Sequence, residues 1–367
     1  MPKRRPAKKR SPAAAVLLAV LCLLLLAVSR YLDSRSEPAA SVSAPEAAQA
    51  DAPKLEVHFL DIGQGDSALL FCGDETLLID GGKVKNNQKL IARLKELEVD
   101  HLDAVICSHP DEDHCGGLSA VLASTRTDAF YCSVDSWHTK VFSDVTKYVE
   151  QQGISVTVPQ AGDSFAFGEA SVEFLGPVED YGDDPNEGSL VARVRYGETS
   201  FLFTGDMGFE AEDDMLAAGV DVSATVLKVA HHGSAGSSST EFLQAVHPQY
   251  AVISVGADND YGHPTEAALN RLAACGIPVY RTDLLGEIIA VSDGKTVTMT
   301  TASSEAPSAD AASQTTDSYG YVGNSSSKVV HLASCGKLPG ESNRVYFASL
   351  DEALAAGYRK HANCLGN

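Results

Sequence analysis

The stretch Ser108-His109-Pro110-Asp111-Glu112-Asp113-His114-Cys115-Gly116-Gly117 decides how this chain folds. It places His109, Asp111, Asp113 and His114 within six positions. Upstream, Leu102 to Cys107 reads as a short buried strand, and downstream Leu118 to Leu122 reads as the start of a helix. A strand end followed by a tight turn is where α/β folds put their chemistry. Alternating His and Asp at such a turn offer imidazole nitrogens and carboxylate oxygens to two divalent metals. The bland alternative is a polar loop with a helix cap, and four potential ligands so close together weigh against it.

Outward from this cluster, the same pattern recurs. Val57–Ile62, Ser67–Cys72 and Thr76–Ile79 read as strands, the last closing on Asp80-Gly81-Gly82. Lys89 to Glu98 has helical spacing, with Leu90, Leu94 and Leu97 on one face. Further strands are expected at 155–158, 171–175, 190–196, 200–204, 226–230, 251–255 and 279–282, with a helix over 265–275. Six of the β runs lead to an Asp or His: Asp61, Asp80, His109, Asp206, His231 and His263. One such end is ordinary, but six argue for a shared centre held by rigid strands. The Gly63-Gln64-Gly65 turn has no helix after it and is read as turn geometry rather than a phosphate loop.

Phe59-Leu60-Asp61-Ile62-Gly63-Gln64-Gly65-Asp66, Leu78-Ile79-Asp80-Gly81-Gly82, the His109 cluster, Phe203-Thr204-Gly205-Asp206, Leu227 to Ser234 and Tyr261-Gly262-His263-Pro264 together resemble the metallo-β-lactamase superfamily. More narrowly they are similar to the hydrolase domain of ComEC-type competence proteins. The resemblance covers about Leu55 to Thr300 and implies an α/β fold, a four-layer αββα sandwich with metals at the edge between two sheets. By position it implies His109 and Asp111 on a first metal, and Asp113, His114 and His231 on a second, with Asp206 bridging. Asp111 stands where many members have His, which hardens the site and suits Mn²⁺ as well as Zn²⁺. A third His for the first metal has no clear match, since His138 is the one histidine between His114 and Asp206. Asn186 and Ser189 occupy the region where the ComEC-like branch carries a polar pair. Asp113 or Asp206 would orient a metal-bound hydroxide, and His263 or His232 would donate a hydrogen bond to the developing oxyanion or leaving group. Asp61 and Asp80 are expected to hold loop amides, orient the histidines or face the substrate.

The termini differ in kind from this domain, taken as residues 54–301. Met1 to Arg10 is mostly Lys, Arg and Pro, and Ala13 to Val28 is an uninterrupted apolar run. Residues 1–32 therefore read as an uncleaved single-pass membrane anchor with the rest of the chain extracellular. A cleaved signal peptide and a secreted chain is the alternative. Residues 33–53 are Ala, Ser, Pro and Glu-rich and read as a stalk, and 302–318 as a linker. The net charge of -21 argues against a chain that coats nucleic acid, though not against a metal site that binds phosphate. The eight Cys lack the spacing of a disulfide scaffold, so buried thiols are the default.

Residues 319–367 form a small α+β module, with a helix expected over 349–356. His331-x3-Cys335 and His361-x2-Cys364 are spaced to complete a tetrahedral structural zinc site, which suits a module too small for a large core. A Cys335–Cys364 disulfide is the alternative. The tail also resembles the Ada-type metal-binding module, which uses four Cys, so the two His argue against methyl-transfer repair.

Together these features lead to a binuclear metal-dependent hydrolase, a phosphodiesterase or nuclease on DNA, tethered to the membrane. No protein partner is inferable. A phosphocholine esterase or a lactone or β-lactam hydrolase keeps the metals and changes the substrate. A surface nucleic-acid-binding protein without turnover is the non-enzymatic alternative.

Overall fold

The computed structural model describes residues 54–257, 259–301, 321–332, 337–340, 343–347, 350–361 and 364. The expected anchor, the stalk, the linker and Cys335 lie outside the described residues. In chain order the first half runs β1 (Leu55–Phe59), β2 (Ala68–Cys72), β3 (Glu75–Ile79), α1 (Asn87–Glu96), β4 (His101–Cys107), α2 (Glu112–Cys115), α3 (Leu118–Ser124), β5 (Arg126–Cys132), α4 (Lys140–Gln151) and β6 (Val156–Thr157). The second half runs β7 (Ser164–Phe167), β8 (Ala170–Gly176), β9 (Val191–Tyr196), β10 (Thr199–Phe203), α5 (Phe209–Ala217), β11 (Val226–Lys228), α6 (Thr240–Val246), β12 (Tyr250–Ile253), α7 (Glu266–Ala274), β13 (Val279–Arg281), α8 (Thr282–Leu285), β14 (Ile288–Ser292) and β15 (Val297–Thr301).

Two sheets result, ordered β15-β14-β1-β2-β3-β4-β5-β6 and β13-β12-β11-β10-β9-β8-β7. Their facing sides share one core, in which Val57, Leu70 and Ile106 of the first meet Phe174, Val194 and Phe201 of the second. Phe59 stacks on Phe203 across the gap, with ring centroids 5.9 Å apart. The outer face of the first sheet buries Leu69, Leu78 and Val105 under Leu90, Leu94, Leu118, Val121, Phe142 and Val145 of α1, α3 and α4. The outer face of the second buries Leu202, Leu227 and Ile253 under Met215, Phe242, Leu243 and Leu272 of α5, α6 and α7. Helix, sheet, sheet and helix thus form the four layers expected, because central strands bury both faces and need apolar residues throughout.

The helices start where their sequence provides a cap. Thr139, Ser239 and Thr265 accept hydrogen bonds from the backbone N–H of Phe142, Phe242 and Ala268 at the first turns of α4, α6 and α7. The strand β5 and the helix α4 were not expected. In α4, Phe142, Val145 and Val149 are buried at helical spacing, but β-branched residues weaken that signal. In β5, Asp128 interrupts an apolar run and its side chain faces outward to Arg126. The strand expected at 155–158 shrinks to two residues.

A separate four-stranded sheet, ordered β18-β16-β17-β19, is built from β16 (Tyr321–Asn324), β17 (Val329–Leu332), β18 (Arg344–Phe347) and β19 (Arg359–Lys360), with α9 (Leu350–Ala355) before its last strand. Its core is small: Val330, Phe347, Ala353 and Tyr358. Among the described residues no helix is long and apolar enough to cross a membrane.

Candidate metal centre

Parallel pairing sets the position of the centre. β3 and β4 run parallel in the first sheet, and β10, β11 and β12 run parallel in the second. Their carboxyl ends therefore open at a shared edge, where an α/β fold leaves a crevice. Asp80 follows β3, Ser108 and His109 follow β4, Asp206 follows β10, His231 and His232 follow β11, and Ser254 follows β12. The loop from β1 to β2 brings Asp66 to the same place. Gly65 makes this possible: its φ is +127°, and a Cβ there would sit 2.3 Å from the Asp113 carbonyl oxygen. The same contact is sealed by the Asp66 N–H, which donates to Asp113 O at 3.0 Å.

Three imidazoles point into this crevice with the same construction. His114 places Nδ1 2.9 Å from Asp80 Oδ2, and its Nε2 lies 3.0 Å from Asp206 Oδ1. His232 donates Nδ1–H to the Ser254 carbonyl at 2.9 Å, with Asp66 Oδ1 3.1 Å away. Its Nε2 lies 3.6 Å from Asp206 Oδ2 and 3.7 Å from Asp113 Oδ2. His109 has Nδ1 3.0 Å from Ser108 Oγ and Nε2 4.0 Å from Asp111 Oδ2. His109 Nε2 and His232 Nε2 are buried without a hydrogen-bond partner, and His114 Nε2 and Asp206 Oδ1 face each other at 3.0 Å as a buried ion pair. Buried polar atoms are almost always paired, so unpaired imidazole nitrogens beside a buried carboxylate fit a site that holds a cation. A carboxylate or hydroxyl on Nδ1 that fixes a ligating Nε2 is how metal-binding histidines are held.

Asp66, His114, Asp206 and His232 can bring one ligand atom each within 4.8 Å of one another. Asp66 is nonetheless committed elsewhere, since its Oδ2 lies 2.7 Å from the buried Lys228 ammonium. It acts on the centre by orienting His232, as Asp80 does for His114.

Charge in the crevice is strongly organised. Burial and then His114 push His109 down to about 3, so it is neutral and ready to ligate. Burial opposes charge on His114 and His232, but Asp206 first, with Asp80 for His114 and Asp66 for His232, outweighs it. His114 is held well above the usual imidazole range and His232 at about 10. Asp206 is itself held well below the carboxylate range by His114 and His232 despite its burial. Asp66 lies at about 2, where Lys228 and His232 overcome burial. His263 is pushed down to about 4 by burial, His232 and His231.

Of the residues expected from sequence, His109, Asp111, Asp113, His114 and Asp206 come together. His231 sits at the rim, about a third exposed, with Nε2 3.7 Å from Asp206 Oδ2. Its neighbour His232, expected as a hydrogen-bond donor, is the more deeply buried of the two. His263 flanks both, with ring centroids 5.6 Å from His231 and 6.5 Å from His232. Ser189 accepts from the Asp206 N–H at 3.1 Å and lies 3.4 Å from His109 Nδ1. Asn186 Oδ1 is buried without a partner and its backbone carbonyl accepts from Ser189 N–H. Asp61 is outside the crevice, accepting from the Gly63 N–H and pairing with Lys89 at 2.9 Å. His138 is exposed and packs at a tilt against Trp137, so it supplies no third histidine. Sequence reasoning missed Asp66 and Lys228. The available signal was a lysine inside an otherwise apolar strand, which demands a buried anion.

In the small module, His331, His361 and Cys364 offer ligand atoms within 4.8 Å of one another. The two rings lie 4.0 Å apart and His361 Nδ1 is 3.2 Å from Cys364 Sγ.

The chain is 34% identical over 285 residues to Competence protein ComA of Neisseria gonorrhoeae, covering 76% of this chain and 38% of that one. It is 30% identical over 251 residues to ComE operon protein 3 of Bacillus subtilis strain 168, covering 64% and 32%. It thus spans about a third of the length of these curated relatives. Among solved structures, the metallo-beta-lactamase fold protein YhfI from Bacillus subtilis aligns over 65% of this chain and 100% of its own, at 14% identity and a TM-score of 0.46. The family model of the metallo-beta-lactamase superfamily matches residues 60–257, which include every crevice residue up to Ser254. This chain belongs to the metallo-beta-lactamase superfamily of metal-dependent hydrolases, on its ComEC-like branch.

Proposed function

We propose that the chain is a binuclear metal-dependent phosphodiesterase that cuts DNA. The observation that carries this reading is the convergence of the buried His109, His114 and His232 Nε2 atoms on the carboxylates of Asp111, Asp113 and Asp206. Divalent metals in that crevice supply Lewis acidity and an activated water. The protein's own groups do the rest. Asp113 is held ionised against its burial by His232 and His114, and is placed to orient or accept a proton from the attacking water. His263 is neutral near pH 7, so it offers a hydrogen bond to the leaving group rather than a full proton. The competence names of two relatives and the ComEC-like motifs direct the substrate toward DNA.

The basic start and apolar run at 13–28 support a chain tethered to the cell membrane with this domain outside. The His331, His361 and Cys364 cluster supports a structural zinc in the small module, with Cys335 as the fourth ligand. Cobalt substitution tests the latter: thiolate-to-metal charge-transfer bands weakened in Cys364→Ser and lost when Cys335→Ser is added support zinc, and their absence in the wild type refutes it.

The main test assays the purified chain with Mn²⁺ or Zn²⁺ on single-stranded DNA, bis-p-nitrophenyl phosphate and a chromogenic β-lactam. Cleavage of the first two, lost in Asp206→Ala together with bound metal, is the expected result. Hydrolysis of the β-lactam alone overturns the phosphodiesterase reading in favour of the lactam-hydrolase alternative.

A further inference from the structure

The rim of the crevice carries an aromatic ring that the chemistry above does not use. Tyr261 is 56% exposed, the most open aromatic side chain among the large hydrophobics at the surface. Its ring lies against His263, with centroids 5.8 Å apart and planes 26° from parallel. His263 in turn borders His231 and His232. An unbroken path of rings therefore runs from the metal centre out to solvent. Lys83 is the cation on this path. Its Nζ donates to Tyr261 Oη at 3.0 Å, lies 4.8 Å from the Tyr261 ring centroid and is 3.9 Å from Asp113 Oδ2.

The loop that carries the shelf is built to stay in place. Asn259 donates Nδ2–H to the Gly256 carbonyl at 2.9 Å and to the His263 carbonyl at 2.6 Å. Its Oδ1 accepts from the Tyr261 N–H at 3.1 Å and the His263 N–H at 3.0 Å. Four hydrogen bonds from one side chain fix both ends of the Tyr261–His263 step, so its exposed face is preformed rather than recruited.

A preformed aromatic face beside a phosphodiester-cutting centre, with one ammonium at its edge, matches what a flipped-out or unpaired base and its phosphate need. Every base has a π-face, and stacking on an aromatic side chain is tolerant of sequence. A duplex keeps its bases stacked on each other and cannot offer one to Tyr261 without unpairing. On a chain of net charge -21, a polyanion also needs local cations, and Lys83 supplies one at this rim.

We propose that Tyr261 and His263, with Lys83 at their edge, form a stacking shelf that seats the unpaired nucleoside next to the scissile phosphate and makes the chain selective for single-stranded nucleic acid. This rests on the phosphodiesterase reading and specifies its substrate class. The test compares the wild-type chain with Tyr261→Ala, Tyr261→Phe and Lys83→Ala. Each is given a single-stranded oligonucleotide, the same sequence as a duplex, and the same strand with one abasic site walked along it. Binding is read by fluorescence anisotropy and cleavage with Mn²⁺ by product length. The wild type is expected to prefer the single strand to the duplex and to lose roughly 5- to 150-fold in affinity when the abasic site reaches the shelf, the span of one stacked base. In Tyr261→Ala that abasic penalty collapses toward one, and in Tyr261→Phe it survives because the ring remains. Lys83→Ala weakens every strand alike and flattens the salt dependence. A wild type that cleaves none of the phosphodiesters refutes the hydrolase reading and this inference with it. A wild type that cleaves strands with no abasic penalty, or one that Tyr261→Ala leaves intact, refutes the shelf alone.

Discussion

Replacing Lys228 with methionine isolates one ion pair on which the centre depends. Lys228 is 3% exposed, and its Nζ lies 2.7 Å from Asp66 Oδ2 and donates to the Val229 carbonyl at 2.9 Å. At an effective dielectric of about 20, two unit charges at that distance attract by about 6 kcal/mol, much of it offset by taking both ions out of water. Removing the ammonium leaves the carboxylate's burial cost uncompensated, which in buried pairs amounts to about 3–5 kcal/mol. Water cannot readily replace the lost charge, because the cavity beside Asp66, Ser108 and Ser254 measures about 10 Å³, room for one molecule. His232 Nδ1, 3.1 Å from Asp66 Oδ1, compensates in part and puts the cost at the lower end. A loss of about 3 kcal/mol in a domain of this size lowers Tm by about 6–12 °C.

The sign with pH is a sharper check. In the wild type the Asp66 carboxyl is at about 2 against an ordinary 3.8. A depressed carboxyl contributes stability that is full above 3.8 and lost as pH falls through 2, here about 2 kcal/mol. Without Lys228 the carboxyl moves up, so its protonated form relieves the variant at a higher pH than the wild type. The Tm gap between Lys228→Met and the wild type, followed by circular dichroism on metal-free protein, is therefore largest near pH 7 and narrows below pH 4. Asp66→Asn in the same chain recovers part of the loss. A gap under about 2 °C at pH 7, or one that stays constant down to pH 3.5, refutes the reasoning.

Metal at a hundred times its Kd should add about 2.7 kcal/mol of stability, seen as a rise in Tm that EDTA reverses and that Asp206→Asn abolishes. Asp80→Asn should weaken metal affinity by about 10- to 100-fold in a calorimetric titration, because Asp80 holds Nδ1 of His114 at 2.9 Å and also takes the Ser108 N–H at 2.7 Å and the Ser108 hydroxyl at 2.8 Å. Unchanged affinity would show that His114 is aimed by packing instead. His114 and His232 carry raised pKa values in the metal-free chain, His232 at about 10, so both bind protons at pH 7. The contribution of His232 to metal-free stability is full below 6.5 and lost as pH rises through about 10, that of His114 is lost above the usual imidazole range, and metal uptake must expel those protons. Titrations in two buffers of different ionisation enthalpy should therefore report protons released on binding, with affinity falling as pH drops from 8 to 6; no release would contradict the geometry.

The parts of this centre that were legible in the sequence are those whose partners are close along the chain. His109, Asp111, Asp113 and His114 lie on one turn, and their strand and helix flanks announce where that turn sits. What the sequence hid was set by distant packing. Both His231 and His232 adopt left-handed backbone, with φ of 50° and 53°, an unusual state for two successive non-glycine residues. That backbone decides which ring enters the crevice, and no local propensity encodes it. Asp66 looked like a turn residue because its cation, Lys228, comes from the other sheet. Once the two are paired, the charge of the crevice can be counted. Asp66, Asp80, Asp111, Asp113 and Asp206 face it, Lys228 offsets Asp66, and Lys83 stands 3.9 Å from Asp113 Oδ2. In the metal-free chain the protonated His114 and His232 carry two further positive charges, so protons hold the place of a cation. Each divalent ion that enters therefore exchanges with imidazolium protons rather than meeting bare carboxylates, and the buried charge stays paired in both states.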